Sequence, residues 1–179
     1  MEGMGIQIFA LVSSLLAIAY TGYLTRKIMK NKEGTPEMIE IAQAVKVGAK
    51  AYLTRQYKGV GLFFGIVFVL LLLLTKFGFM NLFITFAFLG GGFFSALSGY
   101  IGMTVATNSS SRTTFAAKNS LNQALKIAFS SGLVMGLIVV GLALFFISVG
   151  YSLVRWFSIV RGLGLEFIAS TMISFGMGA

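Results

Sequence analysis

Long uncharged stretches alternate with short polar ones along this chain. Residues 6–25 carry no charge, 59–75 include "VFVLLLLLT", and 79–107 and 127–154 are again apolar. A fifth apolar stretch opens near Leu163 and runs to Ala179. About 20 apolar residues cross the hydrocarbon core of a bilayer, and the first four stretches meet or approach that length. The pattern predicts membrane helices at 6–25, 59–75, 79–107 and 127–154, with the start of a fifth at 163–179. The expected fold class is all-α, a polytopic transmembrane helix bundle forming a single membrane domain over 1–179. The first stretch lacks a basic leader and a small-residue cleavage site, so it reads as a retained helix rather than a signal peptide.

One polar stretch is different. "GTPEMIEIAQAVKVGAKAYLTRQYKGV", residues 34–60, carries acids near its start and bases towards its end. Thr35 is placed to cap a helix and Pro36 to begin one. Glu37 and Glu40 suit the positive end of the helix dipole, and Lys50, Arg55 and Lys58 suit the negative end. Met38, Ile41, Ala42, Val45, Ala49, Tyr52 and Gln56 recur at three- and four-residue steps, and six of the seven are apolar or aromatic, a continuous stripe. Only Gly59 and Gly61 separate this stretch from the next apolar one. Residues 35–58 are therefore expected as an amphipathic extension of the second membrane helix, with a helix lying flat on the membrane as the alternative. The stripe needs a cover. Ala116, Ala117, Leu121, Ala124, Leu125 and Ala128, also at helical steps, are the candidate.

The bases set an orientation. Residues 26–58 hold Arg26, Lys27, Lys30, Lys32, Lys46, Lys50, Arg55 and Lys58, and the polar connector 108–126 holds Arg112, Lys118 and Lys126. The intervening turns hold only Lys76, Arg155 and Arg161. Positive charge concentrates on the cytoplasmic side of membrane proteins. The N-terminus is expected outside, and 35–58 and 108–126 in the cytoplasm.

Composition narrows the chemistry. The chain is 57% hydrophobic and 11% charged, with net charge +9. Its bases flank apolar spans without aromatic interleaving, so no nucleic-acid partner is expected. Histidine and cysteine are absent, which excludes histidine catalysis, disulfides and thiolate metal sites. All five acids are glutamates: Glu2, Glu33, Glu37, Glu40 and Glu166. Divalent-metal phosphate chemistry needs clustered carboxylates, and none sits deep in an apolar span. No catalytic, cofactor-binding or metal-binding residue is expected here.

Small residues crowd the third and fourth stretches. Gly91, Gly99, Gly102, Gly132 and Gly136 are the expected packing glycines, since small residues let helix backbones approach closely in lipid. "LGGGFF" lacks the Lys and Ser/Thr that a phosphate-cradling loop requires. Three charged residues stand at expected interfaces: Lys46, Arg112 and Glu166. Glu166 reads as a solvated helix-end residue, with an ion-pathway role as the alternative.

The stretch at 34–60 resembles the first cytoplasmic helix of the membrane-integral, ion-translocating pyrophosphatases. "SALSGYIGMTVATNSSSRTTFAAKNSLNQALKIAFSSGLVMGLIVVGLAL" is similar to the region that follows it in that family, and "ISFGMGA" to the start of the fifth family helix. The resemblance covers about 33–148, and the end more loosely. It implies a much longer parent of about sixteen membrane helices, a homodimer in the cell membrane. Such a parent hydrolyses pyrophosphate with Mg2+, in some members with K+, and pumps H+ or Na+. The chain would be its N-terminal outer part, short of the aspartate-rich motifs, binding none of these ligands itself. Val47, Thr104 and Ser130 depart from residues common in the family. From the residues alone, a non-enzymatic membrane scaffold or assembly subunit, or half of a small transporter, also fits.

Overall fold

The computed structural model describes the backbone of residues 2–179 and side chains from Gly5 onward. Five helices follow in order: α1 (Glu2–Met29), α2 (Pro36–Lys76), α3 (Leu82–Ala117), α4 (Leu121–Arg161) and α5 (Leu165–Gly178). No strand occurs among the described residues, so the fold is all-α. The first four helices are each long and apolar enough to cross a membrane. A helix satisfies its own backbone polar groups, which hydrocarbon demands of any segment that crosses it.

The charged stretch and the second apolar stretch form one helix, α2, of 41 residues. Gly59 and Gly61 do not interrupt it. Thr35 sits just ahead, and its carbonyl accepts the Ile39 N–H at 3.0 Å. Residues 108–126 are themselves helical except for a short break at 118–120. Polarity does not end α3, because its hydroxyls turn inward on their own helix. Thr107, Ser109, Ser110, Thr113 and Thr114 each donate to a carbonyl three or four residues back. Residues 155–161 likewise belong to α4. That helix ends where Gly162 takes φ +66°, the left-handed conformation that glycine adopts without a Cβ penalty. The turn brings the Leu163 N–H to the Ser158 carbonyl at 2.9 Å.

Two compact units emerge from the contacts. The first gathers Met1–Ser14, Tyr57–Leu97 and Leu142–Ala179. Its centre is the glycine triplet of α3. A Cβ on Gly90 would fall 2.5 Å from the Phe146 ring of α4. One on Gly91 would strike the Phe175 carbonyl of α5, and one on Gly92 the Phe64 ring of α2. Successive helix residues turn by about 100°, so three adjacent glycines open α3 to three different neighbours. Phenylalanines fill the space around them. Phe64 stacks on Phe88 at 4.8 Å and Phe146 on Phe175 at 4.4 Å. The Tyr57 hydroxyl adds a tie from α2, donating to the Ala96 carbonyl at 2.7 Å.

The second unit gathers Leu15–Gln56 and Ser98–Gly141. Its core joins Leu24 and Ile28 of α1, Val105 and Ala116 of α3, and Ala124, Ile127 and Val134 of α4. Ala116 and Ala124 thus pack in a core shared with α1. In the stripe of α2 Ala42 is buried, but Ile41, Val45 and Tyr52 remain 66%, 48% and 59% exposed. Among the described residues the stripe is thus covered only in part, at Ala42 and less fully at Met38 and Ala49. A buried hydroxyl pair, Ser109 donating to Ser131 at 2.8 Å, links α3 to α4.

Candidate functional site

Three charged residues of the second unit, Glu33, Lys46 and Arg112, meet where α1 ends. Asn31 closes that helix. Its side-chain amide donates to the carbonyls of Ile28 at 2.9 Å and Lys27 at 3.2 Å, groups that a helix end leaves unpaired. Gly34 then takes φ +112°, which reverses the chain before Pro36 starts α2. Between them stands Glu33, aimed back at α3.

Arg112 meets it there. Its Nη2 lies 2.7 Å from Glu33 Oε1, its Nε donates to the Asn31 carbonyl at 3.1 Å, and its Nη1 donates to the Asn108 carbonyl. The Arg112 side chain is 9% exposed, so its charge needs these partners. Lys46 of α2 approaches the same Glu33 oxygen at 3.9 Å. One carboxylate thereby ties the α1–α2 loop to α3 and touches α2. At the head of α2, the Thr35 hydroxyl hydrogen-bonds the Glu37 carboxylate and holds its pKa below the ordinary glutamate range.

Beside this clasp is a hollow of about 380 Å³, lined by Lys30, Lys32, Arg112, Asn119 and Gln123 among others. A second hollow of about 590 Å³ shares Asn31, Gln123 and Ile127 with it and adds Lys27, Asn122 and Lys126. No carboxylate lines either. The lining offers donors for an anion and no base to activate water. Among the described residues, no three acids, histidines or cysteines gather to hold a metal.

The other singled-out residues are scattered. Gly91 is buried against α5 in the first unit, and Gly102 is buried with Met135 Cγ 2.9 Å from where its Cβ would be. Gly99 is half-buried. Gly132 and Gly136 are exposed and face open space, so within this chain they bring no helix close. Glu166 is exposed in the first turn of α5, where the helix dipole favours an anion. Arg161 does not pair with it but lies over the Phe157 ring, 5.5 Å from its centroid. Sequence reasoning named Arg112 and Lys46 but missed Asn31 and Glu33. The run Asn31-Lys32-Glu33-Gly34-Thr35-Pro36 did carry a signal: an amide just past a helix end, then glycine and proline.

A family model described as "Inorganic H+ pyrophosphatase" matches residues 15–179. The chain is 49% identical over 94% of its length to a protein of Bacteroides thetaiotaomicron provisionally named a K(+)-stimulated pyrophosphate-energized sodium pump. It is 45% identical over 73% of its length to a K(+)-insensitive pyrophosphate-energized proton pump 2 of Moorella thermoacetica. It is 38% identical over 86% of its length to a K(+)-insensitive pyrophosphate-energized proton pump of Methanosarcina mazei. The matches cover 24%, 18% and 22% of those relatives, so the chain spans about a quarter of their length or less. Matched over most of its residues and built of long apolar helices, the chain belongs to the inorganic H+ pyrophosphatase family.

Proposed function

We propose that this chain is the N-terminal, supporting part of a longer membrane pump that couples hydrolysis of inorganic pyrophosphate to translocation of H+ or Na+. The observation that carries the reading is a family match over residues 15–179 in a chain whose described residues gather no acidic cluster. The relatives' names supply pyrophosphate as the energy source, and their greater length leaves room for catalytic carboxylates elsewhere.

In this reading the chain contributes no catalytic residue. Mg2+ is the metal of the complete protein, with K+ as a candidate activator. The residues here do not fit a divalent cation, so no metal-dependent step is assigned to them. The basic ends of the helices face the cytoplasm, the N-terminus lies outside, and the complete protein is a homodimer in the cell membrane. The clasp of Glu33, Arg112 and Lys46 holds the helices at the cytoplasmic rim.

The test is ion uptake by vesicles containing the protein made from its complete reading frame. Adding pyrophosphate and Mg2+ should drive H+ or Na+ inward. Hydrolysis without uptake of either ion, or no response to pyrophosphate, would refute the proposal.

A further inference from the structure

The two hollows of the second unit share three residues and form one two-lobed depression. Its larger lobe has two lysines, Lys27 at the end of α1 and Lys126 in the first turns of α4. Arg112, in the smaller lobe, is already engaged by Glu33. Among the described residues, Lys27 and Lys126 form no ion pair. The depression therefore holds positive charge that the protein itself does not neutralise. Asn122 and Gln123 stand beside these lysines as neutral donors.

The apolar stretches give the depth expected of the lysines. Lys27 comes two positions after the uncharged stretch 6–25, and Lys126 immediately precedes the apolar stretch 127–154. With those stretches in the hydrocarbon, both lysines stand at the level of the headgroups. The wall there is apolar as well: Leu125 stands beside Lys126 at 45% exposure, and Phe129, about one turn further into the apolar stretch, at 75%. A charged mouth beside an apolar wall, at headgroup depth, matches a molecule with an anionic head and an acyl tail.

We infer that this depression binds the phosphate headgroup of an anionic phospholipid, held by Lys27 and Lys126 with its acyl chains along Leu125 and Phe129. A soluble phosphate would meet the same donors but would leave the apolar wall unused. The site does not depend on the chemistry of the complete pump.

The test uses the protein from its complete reading frame, in detergent, with lipid binding followed by native mass spectrometry. Dioleoyl phosphatidylglycerol should bind in preference to dioleoyl phosphatidylcholine. The double variant Lys27→Gln/Lys126→Gln should bind phosphatidylglycerol about thirtyfold more weakly, as expected when two basic residues near an anionic lipid are neutralised. The control pair Lys58→Gln/Lys118→Gln should bind as the parent does. A photoactivatable phosphatidylglycerol should crosslink the parent protein within 122–129, a result independent of how well any variant folds. Equal binding by the double variant, equal binding of phosphatidylcholine, displacement by equimolar inorganic phosphate, or crosslinks only elsewhere would overturn the inference.

Discussion

Arg112 of α3 and Glu33 of the α1–α2 loop meet at 2.7 Å, although most of α2 and α3 separates them in the chain. The arginine is buried and the glutamate about two-thirds buried, 9% and 29% exposed at the side chain. Glu33→Gln would leave the guanidinium without a counter-charge, at a cost of about 1–3 kcal/mol. Lys46 is more distant, at 3.9 Å, and 30% exposed, so Lys46→Met should cost less than about 1 kcal/mol. Thermal unfolding in detergent gives the order. A Lys46 variant as damaging as the Glu33 variant would show that the arginine pair is not the principal tie.

The glycines should separate into two groups. A methyl group on Gly91 meets the α5 backbone, which cannot swing aside as a side chain can. Gly91→Ala should destabilise the chain and loosen α5, read as faster proteolysis near residues 165–178. At Gly132 and Gly136, nothing lies within 4 Å of where a methyl group would sit. Within this chain, Gly132→Ala and Gly136→Ala should be neutral or stabilising by up to about 1 kcal/mol through helix propensity. Equal losses at all three positions would contradict this division.

Thr35→Ala should raise the Glu37 pKa towards the ordinary glutamate range by removing the hydroxyl that hydrogen-bonds its carboxylate. A depressed folded-state pKa contributes stability above the unfolded value and loses it as pH falls through the folded one. Near neutral pH the parent should therefore be more stable than Thr35→Ala, and this part of the difference should close as the medium is acidified through the glutamate range. An NMR titration of Glu37 that is identical in both proteins would remove the assigned cause.

The chain has no cysteine, so single cysteines report topology without background. Lys50→Cys and Lys118→Cys should react with a membrane-impermeant maleimide only from the cytoplasmic side. Phe79→Cys and Leu163→Cys should react only from outside. Lys50 and Lys118 labelled from opposite sides would break the orientation drawn from the basic residues.

Much of the architecture was legible because lipid imposes long apolar runs, and four of them stand out in this chain. The helical character of 108–117 was harder to read. Serines and threonines suggest a break, yet inside a helix they bond to their own carbonyls, and residue type does not show which they will do. The apolar stripe of α2 was legible as a pattern, but its cover was not. A pattern shows that a face is apolar without naming what buries it: Ala42 is buried while Ile41, Val45 and Tyr52 stay exposed, and Ala116 and Ala124 share a core with α1. Arg112 could be singled out, whereas Glu33 could not be named as its partner. A contact between residues so far apart leaves no local period to read. Gly132 and Gly136 show the same limit from the other side, since their spacing suits close packing and their neighbours here do not supply it.

The most direct measurement compares Mg2+-dependent pyrophosphate hydrolysis by the 179-residue chain and by the protein from its complete reading frame, both reconstituted in lipid. Turnover by the complete protein and none by the shorter chain is the predicted result. Turnover by the shorter chain alone, or none by the complete protein, would contradict the claim that this chain supports a pump whose catalytic carboxylates lie elsewhere.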